Sequence, residues 1–179
     1  NGREQEALEL FTLMRRENIP LNFPSLISAL CVCAGLATLD RGRQIHALLL
    51  KSQFDSDASA ASILMTMYLR CGDVLKAKRV FDGFSSKDIV MWNSMITGYA
   101  QHGLGNDALD EFHEMCHSDI APDNVTFVGV LSACSYTGKV KEGVEIFGSM
   151  KSKYPVEPEA AHYACMVDLL CRAGHIKEA

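Results

Sequence analysis

Two histidines one helical turn apart with a glutamate between them, His113-Glu-Met-Cys-His117, form the HExxH pattern with which zinc peptidases hold a metal and activate water. Such a site needs a third ligand and an open coordination position. The metzincin extension fails, because Ile120 stands where that pattern requires Gly. Glu142 or Glu145 would be a third ligand of another kind, but both belong to a later helical segment. Phe112 and Met115 take the core face of the same stretch, which turns His113 and His117 outward, so no metal ligand is assigned. The seven cysteines include no Cys-x-x-Cys pair, and their odd number suits reduced thiols better than a disulfide framework. Cys31, Cys33, Cys134, Cys165 and Cys171 fall within helical stretches and are expected to be buried small apolar residues. Cys71 precedes a turn glycine and Cys116 lies near a helix end, so these two are expected to be the more reactive thiols. No Ser-His-Asp arrangement or phosphate-cradling glycine loop stands out, and no catalytic residue or cofactor is predicted.

The elements behind these residues are set by composition and period. With 48% hydrophobic and 22% charged residues, 13 Gly and 5 Pro in 179, the chain is globular rather than collagen-like or disordered. Its longest weakly polar stretch, Ile27 to Leu39, is too short to span a bilayer, so no membrane partner is expected. A formal charge of −5 argues against holding nucleic acid mainly by bulk attraction to phosphate. Asn1-Gly2-Arg3 shows no apolar signal segment and names no compartment.

Self-similarity at fixed spacing decides the architecture. Small residues recur at Ala7, Gly42, Ala77, Ala108, Gly143 and Ala179, at intervals of 35, 35, 31, 35 and 36. Three more series keep this register. Gly2, Ala37, Gly72, Gly103, Gly138 and Gly174 lie upstream; Phe11, His46, Phe81, Phe112 and Phe147 lie downstream; Asn22, Asp57, Asp88, Asp123 and Glu159 close each unit. In 89–123 the spacing predicts a first helix from about Met91 to Gln101, a break at Gly103 and Gly105, and a second helix capped by Asn106 or Asp107. Ala108 is expected to let the paired helices approach closely. A lone hairpin of this length cannot bury its apolar face, so neighbours must stack. The expected fold is all-α, a right-handed solenoid of helix-turn-helix units. Both ends fall inside a repeat, which predicts a piece of a longer array whose apolar end faces would self-associate.

Tetratricopeptide repeats, which are protein-binding scaffolds, share this architecture, and Trp92-Asn-Ser-Met95-Ile96-Thr-Gly-Tyr99 approaches their first-helix pattern. Ile96, with Met65, Leu131 and Val167 at the equivalent positions, is too large for the Gly they require. The sequence instead closely resembles the pentatricopeptide repeat (PPR) proteins of plant organelles. The resemblance is carried by Asp88-Ile-Val-Met-Trp-Asn-Ser-Met-Ile-Thr-Gly-Tyr99, Pro122-Asp-Asn-Val-Thr-Phe-Val-Gly-Val-Leu-Ser-Ala-Cys134, Gly42-Arg-Gln-Ile-His46, Met67-Tyr-Leu-Arg-Cys-Gly72 and His162-Tyr-Ala-Cys-Met-Val-Asp168. It implies the tail of a unit in 1–22, a long unit in 23–57, a short one in 58–88, a standard one in 89–123, a long one in 124–159 and the start of a short one in 160–179. This alternation resembles the PLS subclass linked to RNA editing.

The resemblance also implies a function: sequence-specific binding of single-stranded RNA in a mitochondrion or chloroplast, placing C-to-U editing at a chosen cytidine. By that resemblance, the fifth and last residues of a unit read one base. They are Ile27 with Asp57, Ser62 with Asp88, Asn93 with Asp123, Val128 with Glu159, and Ala164 with a residue further on. The second residues, Pro24, Ser59, Val90, Val125 and Ala161, would pack on base faces. A carboxamide both donates and accepts, so Asn93 suits uracil; Ser62 is shorter and leaves room for guanine, whose N–H groups Asp88 can accept. Ile27, Val128 and Ala164 offer no hydrogen bond and should discriminate weakly. Arg70, Lys87 and Lys139 are candidate phosphate contacts. Editing accessory proteins and a deaminase domain are implied partners. Deaminase chemistry needs His-x-Glu and a later Cys-x-x-Cys, and none of the six histidines here is followed two residues on by Glu.

Overall fold

The computed structural model describes residues 2–52 and 57–174, so Ala179 of the small-residue series lies outside it. Among the described residues there are ten α-helices and no strands. They form two compact units, Asn1–Ser86 and Lys87–Ala179. The first contains α1 (Glu4–Arg16), α2 (Phe23–Leu36), α3 (Leu39–Lys51), α4 (Ala58–Arg70) and α5 (Val74–Asp82). Within it α2 packs on α1, α3 and α4, and α4 also packs on α3 and α5. The second contains α6 (Ile89–Gln101), α7 (Gly105–Cys116), α8 (Asn124–Thr137), α9 (Val140–Lys153) and α10 (Ala160–Arg172). Here α8 packs on α6, α7, α9 and α10.

This packing explains why the helices differ in pattern. Four neighbours surround α8, and it buries Phe127, Val130, Leu131, Ala133 and Cys134 together with Thr126 and Ser135. Such a helix is apolar nearly all round. By contrast α7 has neighbours on one side and shows one buried stripe, Ala108, Leu109, Phe112 and Met115. Phe127 is fully buried, with its ring 5.9 Å from Phe112 and 5.6 Å from Tyr154. Truncating such a ring costs about 3–5 kcal/mol.

Three of the four recurring series have a physical cause in the structure. Gly72, Gly103, Gly138 and Gly174 all have φ between +67° and +81°, and Ala37 shares the left-handed region at +50°. They end their helices where an L side chain is unfavourable. The small residues Gly42, Ala77, Ala108 and Gly143 are buried, whereas Ala7 is exposed. A Cβ on Gly42 would meet Met67 Sδ at 2.3 Å, and one on Gly143 would meet Leu169 Cδ2 at 2.4 Å. The tightest approach is therefore to the first helix of the following hairpin, more than to the helix's own partner.

Helix starts follow the closing residues. The side chains of Asn22, Asp57, Asp88 and Asp123 accept the backbone N–H of Ser25, Ala60, Met91 and Thr126 at 2.8–3.0 Å. Two are reciprocal capping boxes, Asn22 with Ser25 and Asp123 with Thr126. Extended φ/ψ at Asp88 lets α6 begin at Ile89, earlier than the spacing alone predicts. Neither Asn106 nor Asp107 caps α7. That helix starts at Gly105, after Leu104, because Leu104 N–H already reaches Tyr99 C=O and its own carbonyl takes Ala108 N–H. Both polar residues then fall in the first turn. No helix among the described residues is long and apolar enough to cross a membrane.

Candidate nucleic-acid interface

In the unit Lys87–Ala179, α6 presents Val90, Asn93, Ser94 and Thr97 beside the start of α8. Together with Ile89, Asp123 and Val125 these residues line a depression of about 420 Å³. Val90 and Val125 stand at corresponding positions of their helices and are each 55% exposed. Large apolar side chains left in water at the rim of a depression are candidate contacts for a flat apolar face.

The polar floor is Asn93 and Asp123. Asn93 Nδ2 donates to Asp123 Oδ1 at 3.0 Å, and the buried Thr126 hydroxyl donates to Asn93 Oδ1 at 2.5 Å. Asp123 N–H in turn donates to Thr126 Oγ1 at 3.1 Å. Burial would raise the Asp123 carboxyl, but the N–H of Thr126 and the Asn93 amide outweigh it and hold it below the ordinary carboxylate value. The carboxylate is therefore a charged acceptor at neutral pH. The ring of contacts uses one N–H and one lone pair of the Asn93 amide, leaving the second of each for the depression.

The remaining residues singled out from sequence are placed less uniformly. In the unit Asn1–Ser86, Pro24 and Ser59 are exposed while Ile27 and Ser62 are half-buried. Asp57 caps α4 and is held low by the Ser59 hydroxyl and the Ala60 N–H. In the unit Lys87–Ala179, Asp88 caps α6. Val128 is half-buried, and Ala161 and Ala164 are exposed on α10. Glu159 differs from the aspartates: its carboxylate accepts Asn124 Nδ2 at 2.9 Å, and its N–H donates to Nδ1 of the buried His162. Arg70 is exposed and Lys87 half-buried, while Lys139 is engaged by Glu142 at 3.2 Å. Thr126 was missed in the sequence, although Asp123-x-x-Thr126 is a legible capping box.

The chemical motifs resolve differently. His113 and His117 do face outward, but Glu142 comes within 3.8 Å of His113 Nε2 although it belongs to the next hairpin. His117 Nδ1–H donates to the His113 carbonyl. No group of three His, Cys, Asp or Glu among the described residues could hold a metal ion. Three of the five cysteines expected to be buried are not: Cys31 and Cys171 are exposed and Cys165 is half-buried, while Cys33 and Cys134 are buried. Helical spacing does not say which side of a helix meets a neighbour. Cys71 is not the activated thiol expected, because burial, with Cys33 and Asp73 nearby, pushes its thiol up. Cys134 is pushed up to about 12 by burial.

Helical hairpins packed side by side within each unit define a helical-repeat protein. A match to the PPR repeat covers residues 1–19, 59–89 and 125–154, and a match to the PPR repeat family covers 87–136. The chain belongs to the pentatricopeptide repeat family. It is 57% identical over 178 residues to the mitochondrial pentatricopeptide repeat-containing protein At1g56690 of Arabidopsis thaliana, covering 99% of this chain and 25% of that protein. It is 44% identical to the chloroplastic CRR2 of the same plant, covering 100% of this chain and 28% of that one. The chain thus spans about a quarter of the length of these relatives. Crystal structures of maize PPR10 superpose with TM-scores of 0.79 for the protein at 22% identity and 0.77 for its complex with an 18-nt psaJ RNA element at 23% identity. Each match covers 94% of this chain and 25% of that one.

Proposed function

We propose that this chain reads single-stranded RNA in a plant mitochondrion or chloroplast, one base per repeat, and so addresses C-to-U editing to a chosen cytidine. The observation that supports this best is the depression rimmed by Val90 and Val125 and floored by Asn93 and Asp123. Two exposed valines suit the two faces of a base, and the amide between them suits its edge. Uracil offers an N3–H beside a carbonyl, which matches the unused lone pair and N–H of Asn93. The organelle follows from the relatives named mitochondrial and chloroplastic, and RNA as ligand from the maize PPR10 complex.

The chain's part is binding, with the editing reaction supplied by a deaminase domain or partner. Its charge of −5 puts the affinity in base contacts more than in phosphates. The register would give Ile27 with Asp57, Val128 with Glu159, and Ala164 weak discrimination, and Pro24, Ser59 and Ala161 the packing role of Val90 and Val125.

Gel-shift titrations with short adenine-rich single-stranded RNAs differing at one base test this reading. Wild type should prefer U over C at that base. Asn93→Ser should move the preference to G, because the shorter side chain opens the floor to a purine whose N–H groups face Asp123. Unchanged ranking in Asn93→Ser would remove Asn93 from the reading role.

A further inference from the structure

We infer that Thr126 is a specificity-determining residue, acting through Asn93 to separate U from C; this rests on the RNA reading proposed above. A carboxamide by itself cannot tell these bases apart. Turned one way it offers N–H and C=O in the order uracil needs, and turned the other way in the order cytosine needs. Discrimination requires that one orientation be held.

The contacts around Asn93 hold it with a defined polarity. Asp123 Oδ1 already accepts Thr126 N–H and Asn93 Nδ2–H, each at 3.0 Å. The Thr126 hydroxyl accepts Asp123 N–H, and its single proton has two acceptors in reach, Asp123 Oδ1 at 3.0 Å and Asn93 Oδ1 at 2.5 Å, of which the shorter contact takes it. A turned amide would aim its oxygen at the Asp123 carboxylate, lone pair against charge, and would leave the hydroxyl proton only the longer contact to that carboxylate. Asp123 alone anchors only one end of the amide, which then pivots about that contact. Thr126 anchors the other end and fixes the plane. It is fully buried, so it acts as a positioning residue and touches no base.

Two other helices in the chain show that capping does not require this hydroxyl. Ala60 and Met91 occupy the same place after Asp57 and Asp88, and both aspartates still accept their N–H. Thr126→Ala is therefore compatible with the helix start, and Thr126→Met, which copies the residue at Met91, is a second variant.

The test compares wild type, Thr126→Ala and Thr126→Ser on RNAs differing only by U or C at the base read by Asn93, with urea melts run alongside. Thr126→Ala should lower the U:C affinity ratio about tenfold, about 1.4 kcal/mol, chiefly by binding the C-containing RNA better. Thr126→Ser, which keeps the hydroxyl, should retain the wild-type ratio. An unchanged ratio in Thr126→Ala overturns the inference and leaves the Asn93 reading intact. Loss in both variants assigns the effect to the methyl group and also overturns it. Absence of any U preference in wild type overturns the parent reading and the inference with it.

Discussion

Ala37 is the one member of its series that is not glycine, and it should yield stability on replacement. It ends α2 at φ 50° and ψ 39°, with its N–H on Cys33 C=O and the next N–H, from Thr38, on the same carbonyl at 3.0 Å. An L residue in that region is strained by roughly 1–2 kcal/mol. The Ala37 methyl is exposed, so Ala37→Gly forfeits no packing. Glycine makes the unfolded chain more flexible, which offsets about 0.4–1 kcal/mol. The net expectation is a gain of about 0.5–1 kcal/mol, or roughly 2–8 °C for a cooperative unit of this size. Urea titration followed by far-UV circular dichroism would read it as a higher midpoint at unchanged slope. The mirror experiment, Gly103→Ala at φ +73°, should lose about 0.5–1 kcal/mol by the same balance. A lower midpoint for Ala37→Gly, or a neutral Gly103→Ala, would refute the assignment of the series to left-handed helix ends.

Other outcomes follow from particular contacts. Gly105→Ala should destabilise by about 1–3 kcal/mol, because its Cβ would lie 2.9 Å from the backbone oxygen of Ala133 and 2.5 Å from Thr137 Cγ2; a chemical melt checks this. His46, half-buried with Nδ1 2.8 Å from the Tyr68 hydroxyl, is pushed below its ordinary 6.5 by burial and by Lys76. Its contribution to stability is full above pH 6.5 and drains away as pH falls through the lower folded value. His46→Gln should flatten the melting temperature over that window, and a parallel pH profile in both proteins would sink the assignment. The slope of log affinity for single-stranded RNA against log salt should be shallow, given the charge of −5 and the engagement of Lys139 by Glu142. By the RNA reading proposed above, Ser62→Asn should shift the preference at one base from G toward U, read on oligonucleotides differing at that base alone.

Four of the five closing residues were legible because they cap helices, and a cap must be a particular side chain at a particular step. Asn93 and Asp123 come from the same count, and the structure places them in one depression. The link from Thr126 to Asn93 was not legible, since it spans 33 positions and exists only because α8 lies along α6. Cys31 went wrong for a related reason. It lies on α2, which is apolar nearly all round, so periodicity cannot say which side stays in water. Glu142 meets His113 across successive hairpins, a proximity that spacing within one unit cannot reveal.

Asp123 closes one unit and opens the helix of the next. Under the RNA reading proposed above, the same side chain is both a letter and a punctuation mark. Its alphabet is confined to residues that can cap, chiefly Asp, Asn, Ser and Thr, so the position carries few symbols however many bases exist. Any edit made there to respell an address is also an edit to the folding of the downstream repeat. A designer rewriting such an array has more freedom at the fifth residue, where Asn93 and Ser62 start no helix, than at the last.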